Sequence, residues 1–181
     1  MTARPARLLP AFRVVSGGQT GVDRAALDAA LALGVAVGGW CPAGRWAEDG
    51  PVPDRYPLLE TASADPAERT RLNVRDSDAT LVLAPDGRGG VTGGTALAVR
   101  AARTLGRPVL VVPPRAGAVG GFSAGGVAAW LRARGVRTLN VAGPRESEAP
   151  GVYAAALGAV TTLLDRLGAA GPPPARTGRA R

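Results

Sequence analysis

Histidine and lysine are both missing from this 181-residue chain, cysteine occurs once, and aromatic side chains make up only 4% of it. Without histidine there is no Ser-His-Asp triad, no imidazole general base and no zinc site of the Cys/His type. Without lysine there is neither a Schiff-base nucleophile nor the phosphate-gripping lysine of a Walker loop. The single cysteine, Cys41, cannot close an intrachain disulfide. No run approaches the roughly twenty apolar positions of a membrane-spanning helix, and the first residues lack the apolar core of a signal peptide. These features predict a cytoplasmic protein.

What is present is a small-residue interior. Hydrophobic residues make up 46% of the chain, and with so few aromatics that share falls to Ala, Val and Leu, which suit helices laid closely on a sheet. The length fits one domain that buries roughly 70% of the surface of its unfolded chain. Arginine supplies every cation behind the net charge of +8, and six arginines lie in the first and last thirteen residues, where no Asp or Glu occurs. These are Arg4, Arg7, Arg13, Arg176, Arg179 and Arg181, and setting them aside leaves the body with +2. A nucleic-acid surface needs basic residues gathered on a folded face with aromatics between them, so neither nucleic acid nor membrane is expected as a partner. The Pro/Gly/Ala-rich ends, 1–11 and 169–181, read as flexible arms on a domain at 12–168.

Strand and helix signals alternate within that domain. Short apolar runs at 12–16, 35–40, 79–84, 108–112 and 137–142 read as strands, and residues 22–33, 64–76, 92–105, 123–134 and 150–167 read as helices. Gly34 and Gly106 are expected helix stops, and Ser63 or Asp65 with Pro66 an expected start. Residues 41–57 form a long connection rich in Pro, Gly and charge. Continuous rather than alternating apolar strands are expected where helices cover both faces of a parallel sheet, and right-handed crossovers close such a sheet as a doubly wound fold. The predicted fold is α/β: a Rossmann-like, mainly parallel sheet of about five or more strands with helices on both faces, in a single domain.

Two glycine-rich segments sit where such a sheet turns from strand to helix. The first is Ser16-Gly17-Gly18-Gln19-Thr20-Gly21-Val22-Asp23 and the second Thr92-Gly93-Gly94-Thr95. Glycine lets the backbone approach a ligand, and the free amides of a helix start are donors to an anion. Neither segment is a Walker loop or the dinucleotide fingerprint. One such loop is explained equally well as a tight turn, but two on the same carboxyl edge of a parallel sheet point to an anion site. Thr20 adds a hydroxyl, and Asp23 either caps its helix or binds a ligand's amine or hydroxyl. Further along that edge come Arg45, Glu48 and Asp49, then Asp86 and Arg88, then Arg145, Glu146 and Ser147; Arg45 and Arg145 could hold phosphate in forked hydrogen bonds. Trp46, in a polar loop, is the candidate for stacking on a heterocycle, and Trp40 for core packing. Whether Asn73 points inward is left open by the pattern. The predicted binding set is Gly17, Gly18, Gln19, Thr20, Gly21, Asp23, Arg45, Thr92, Gly93, Gly94, Thr95 and Arg145, with no catalytic and no metal-ligating residue assigned.

Five stretches carry a family resemblance: SGGQTGVDRAALDAAL over 16–31, GWCPAGRWAEDGPVPDRYPL over 39–58, ERTRLNVRDSDATLVL over 68–83, TGGTAL over 92–97 and LNVAGPRESEAPGVY over 139–153. In these the chain resembles the molybdenum-cofactor carrier proteins of bacteria and algae, across nearly the whole body. The resemblance implies a Rossmann-like fold, often a homotetramer, that binds a molybdopterin-type molybdenum cofactor and protects it from oxidation. Its ligand would be a phosphorylated pterin or a nucleotide-like small molecule. The wider superfamily includes phosphoribohydrolases with a PGGxGTxxE loop, whereas this chain has Leu97 and Ala98 where the acidic residue is expected. Hydrolysis of a glycosidic bond needs a carboxylate at the sugar, so the resemblance favours a carrier. Glu48, Asp49 or Glu146 could substitute from neighbouring loops, which keeps a nucleoside-monophosphate hydrolase as the alternative. Cys41, beside a strand end, reads as a small buried hydrophobe rather than a ligand to the cofactor's metal.

Overall fold

The apolar runs fold into short strands and the helically spaced segments into helices, in a computed structural model that describes residues 12–84, 93–114 and 123–168. In chain order the elements are β1 (Arg13–Val15), α1 (Val22–Ala32), β2 (Ala36–Gly38), β3 (Trp40–Cys41), a 3-10 turn (Ala43–Arg45), β4 (Trp46–Ala47), β5 (Gly50–Pro51), β6 (Leu59–Glu60), α2 (Pro66–Arg75), β7 (Ala79–Leu83), α3 (Gly93–Thr104), β8 (Val109–Val112), α4 (Ala124–Ala133), β9 (Thr138–Ala142) and α5 (Val152–Leu167). The expected arms at 1–11 and 169–181, together with Asp86, Arg88 and Thr92, lie outside the described residues. Helix ends follow their capping residues: the Asp65 carboxylate accepts from Ala67 N at 2.9 Å ahead of Pro66, and the Ser123 hydroxyl accepts from Gly126 N at 3.2 Å. Among the described residues no helix is long and apolar enough to cross a membrane.

The apolar run at 35–40, expected as a single strand, is broken at Gly39. Its φ is 124°, and a Cβ there would overlap the Ser16 carbonyl oxygen. The chain therefore turns out of the main sheet at this glycine, leaving β2 inside it and sending β3 to pair in parallel with β6. With the antiparallel pair β4 and β5, these short ribbons order the 41–60 connection. A satellite core of Leu27, Cys41, Ala47, Val52, Tyr56 and Leu58 holds that connection onto α1.

Five strands make the main sheet in the order β2-β1-β9-β7-β8, and every neighbouring pair is parallel. Side chains alternate across it. Leu81 and Leu83 of β7 join α1, α4 and α5 in the largest core, while Val82 packs on the other side toward Val99 of α3. There Val74 of α2 meets Ala98 and Ala102 of α3. Helices thus cover both faces, over an interior built almost wholly of Ala, Val and Leu.

The strand order also locates a site. Common doubly wound sheets run 3-2-1-4-5 when strands are counted along the chain. That order appears here if β9 is counted first, followed by β1, β2, β7 and β8. The sheet is therefore an ordinary doubly wound one whose first strand has moved to the end of the chain. Ligands of such sheets bind outside the carboxyl ends of the strands where the order reverses, and here the reversal falls between β9 and β7.

Candidate functional site

The loops following β1 and β9 and the start of α3 converge at that reversal around a small cleft of about 40 Å³. Gln19 and Asp23 enter it from the first glycine segment, Gly94 and Thr95 from the start of α3, and Gly143, Arg145 and Glu148 from the segment after β9. Arg69 and Thr70 of α2 close it. A single water needs at least about 10–15 Å³ of such space, so the cleft admits one small group of about phosphate size.

Arg69 was not singled out from the sequence, and it is the most informative residue here. Its guanidinium lies against Gly17, where any Cβ would collide with it, and its Nη1 donates to Asp23 Oδ2 at 3.1 Å. The two side chains are only 14% and 4% exposed. Arg69 Nε is buried with no hydrogen-bond partner among the described residues. Leaving such a donor unsatisfied costs about 1–3 kcal/mol. Three arginines on α2 look alike in sequence. What separates Arg69 is its spacing of one turn from Asn73, which is buried. Asp23 does not cap α1. Burial pushes its carboxyl up, and Arg69, the Gln19 amide and the Ser16 hydroxyl pull it only part of the way back.

The two glycine segments behave differently. In the first, Gly17 makes room for Arg69, Gly18 (φ 77°) fits beneath Leu58 and Val52, and Gly21 (φ 71°) faces the Pro144 carbonyl oxygen, 2.5 Å from where a Cβ would stand. The first amide of α1, Val22 N, donates to Pro144 O at 3.2 Å. In the second, at Gly93 and Gly94, a Cβ on Gly94 would meet none of the described residues within 4 Å, and one on Gly93 only Glu148 Oε1 at 3.9 Å.

Glu48 ties the loops of the rim together. It accepts from the Thr20 hydroxyl, from the Ser147 hydroxyl at 2.5 Å and from the Ser147 amide at 3.3 Å, and it lies 3.9 Å from Arg145 Nε. Its own amide donates to Gln19 Oε1 at 2.9 Å. Burial alone would push this carboxyl up, but the Ser147 and Thr20 hydroxyls, the Ser147 amide and Arg145 together hold it below its ordinary value. Arg145, between Glu48 and Glu148, contacts Glu148 Oε1 at 3.4 Å. Glu148 was also missed in the sequence, since nothing there distinguishes it from Glu146. Asp49 is held by two hydrogen bonds from Arg24, and Glu146 accepts from Gly151 N and Tyr153 N at 2.5 and 2.9 Å at the start of α5.

Arg45 does not line the cleft. Its guanidinium donates to the carbonyls of Val52, Leu58, Pro53 and Tyr56 at 3.0 to 3.2 Å, which organises a segment that has little ladder of its own. Trp46 is 48% exposed, whereas the Trp40 indole donates to Asp76 at 2.8 Å. Asn73 turns inward and brackets the Trp40 backbone, accepting from its N–H at 2.8 Å and donating to its carbonyl at 2.9 Å. Cys41 is buried, and that burial pushes its thiol up. No group of three His, Cys, Asp or Glu side chains that could hold a metal ion occurs among the described residues.

The family model described as the circularly permutated YpsA SLOG family matches residues 14–164. A crystal structure from Syntrophus aciditrophicus SB, named "Putative molybdenum carrier protein", is 37% identical with a TM-score of 0.73, over 87% of this chain and 96% of that one. No curated protein matches. The displaced first strand seen in the sheet order is what a circular permutation produces, and the chain belongs to the circularly permutated YpsA SLOG family.

Proposed function

We propose that the protein is a carrier that binds a molybdopterin-type cofactor by its phosphate, in the cleft between the two glycine segments. Arg69 supports this reading most strongly: its guanidinium, largely buried and held among the described residues by Asp23 alone, belongs to a side chain that lines this small cleft. Arg145 and the start of α3 at Gly93, Gly94 and Thr95 would complete the shell around an anion. Asp23 positions Arg69 from the first segment, Gly17 gives it room, and Gln19, Thr20, Gly18 and Gly21 hold the loops in place. The relative from Syntrophus bears a carrier's name, which points the same way. When bound, the cofactor supplies the redox chemistry of its dithiolene metal, while the chain's residues hold and shelter it. Holding needs no general base, so the absence of histidine is no handicap. A cytoplasmic homo-oligomer, tetrameric as the resemblance implies, belongs to the same proposal.

Thermal unfolding followed with inorganic phosphate and with molybdopterin tests it. Ligand that binds the folded state raises its stability with concentration, so the wild-type midpoint should rise with both ligands. Arg69→Ala and Gly94→Asp should remove the rise. A wild-type midpoint indifferent to both ligands would refute the proposal. Glu148, a carboxylate lining the cleft, favours one other reading, a nucleoside-monophosphate hydrolase. Release of free base from AMP or GMP would replace the carrier reading with that one.

A further inference from the structure

Beside the phosphate-sized cleft lies a larger hollow of about 420 Å³, walled by Pro114 after β8 and by Ala149, Pro150, Val152 and Ala155 around the start of α5. Glu148 lines both spaces. The start of α5 is no anion site, because Gly151 N and Tyr153 N already donate to Glu146 and Val152 N donates to Ala149 O at 3.0 Å. With those amides taken, the described residues offer the hollow an apolar wall and one carboxylate. An apolar wall covers the faces of a flat ring, and a carboxylate can only accept hydrogen bonds. Arg145 contacts each oxygen once, Nε to Oε1 at 3.4 Å and its backbone N to Oε2 at 3.2 Å. Among the described residues each oxygen therefore keeps a lone pair for one more donor.

We propose that Glu148 selects the ligand's heterocycle by accepting from two adjacent N–H groups, the ring N–H and the amino group of a 2-amino-4-oxopyrimidine. This is the edge that guanine and pterins share, and it would sit in the hollow while the phosphate lies beside Arg69, so the inference rests on the phosphate site proposed above. Adenine sets an amino group beside a ring nitrogen whose lone pair would face a carboxylate oxygen. Hypoxanthine keeps the ring N–H and lacks the amino group. Hydrogen bonds to a charged acceptor are the stronger kind, and losing one should weaken binding about tenfold or more.

Calorimetric titration with GMP, IMP and AMP reads this selectivity without a substitution. Wild-type protein should bind GMP about tenfold or more tighter than IMP or AMP. Glu148→Gln, which keeps the shape but turns one acceptor into a donor and removes the charge, should weaken GMP binding more than IMP binding and so abolish the GMP preference. Equal wild-type affinities for the three nucleotides overturn the role of Glu148 and leave the phosphate site standing, as does an equal loss of GMP and IMP binding in the variant. If none of the nucleotides binds and phosphate gives no stabilisation, the phosphate site itself is overturned and this inference with it.

Discussion

Arg69 reaches Asp23 through one nitrogen, its only side-chain partner among the described residues, and the consequences can be followed through titration. Asp23's carboxyl is already pushed up by burial against the pull of Arg69. For an acid raised in the folded state, the stability gained from holding its proton is complete below the ordinary carboxylate range and is lost as pH climbs through the raised value. Arg69→Ala takes away the main opposing charge and should push Asp23 higher still. The expected deficit in urea unfolding is about 3 kcal/mol at pH 8, where the carboxylate is buried unpaired, and it should shrink as acidification lets Asp23 take up a proton. Adding Asp23→Asn to Arg69→Ala should recover part of the alkaline loss, since the two positions are coupled. A deficit that does not change with pH would mean the loss comes from packing around Arg69 and not from a stranded charge.

The long regular elements were legible because local pattern and tertiary role agree: the Ala-rich stretches after each glycine segment become α1 and α3, and the continuous apolar runs become β7 and β9. The 41–60 connection was not, because its ribbons are two residues long and show no periodicity. Arg45 reads as a phosphate ligand in the sequence; in the fold it donates to carbonyls up to thirteen residues away, and no spacing rule exposes them. The break at Gly39 depends on the Ser16 carbonyl from another part of the chain, so it too is invisible locally. A pair of substitutions separates backbone preference from that contact. Gly44 has φ 74° and none of the described residues within 4 Å of where a Cβ would stand, whereas a Cβ on Gly39 meets the Ser16 backbone and Asn73. Gly44→Ala should cost about 1–2 kcal/mol, the left-handed penalty alone. Gly39→Ala should cost at least about 1 kcal/mol more in urea unfolding, because backbone must also move. Equal losses would remove the steric explanation for why β2 and β3 part at this residue.

Across the whole molecule, alternation of strands and helices was enough to indicate a parallel α/β sheet, but not the order of its strands. That order depends on β9 inserting between β1 and β7, which brings residues 138–142 beside 13–15 and 79–82. The same insertion brings Arg145 and Glu148 to Arg69, so Glu148 had no signal in the sequence while the glycine segments did. If sheet order rather than chain order sets the fold, the permutation should be reversible. A chain opened between α4 and β9 at Gly135, with residues 169–181 joined to 1–11, would run β9, β1, β2, β7, β8 and recover the common order. Gly135 is exposed, and the opening leaves every strand pair intact. Closing the new connection costs only loop entropy, which grows slowly with length. The rearranged protein should keep the wild-type far-ultraviolet circular dichroism, lose no more than about 1–3 kcal/mol in urea unfolding, and show the phosphate response of the parent. Because the cleft draws on α2, on α3 and on the segment after β9, a native phosphate response would require those three to have reassembled across the new junction. A chain that stays unfolded would show instead that the present chain order is itself needed to build the sheet.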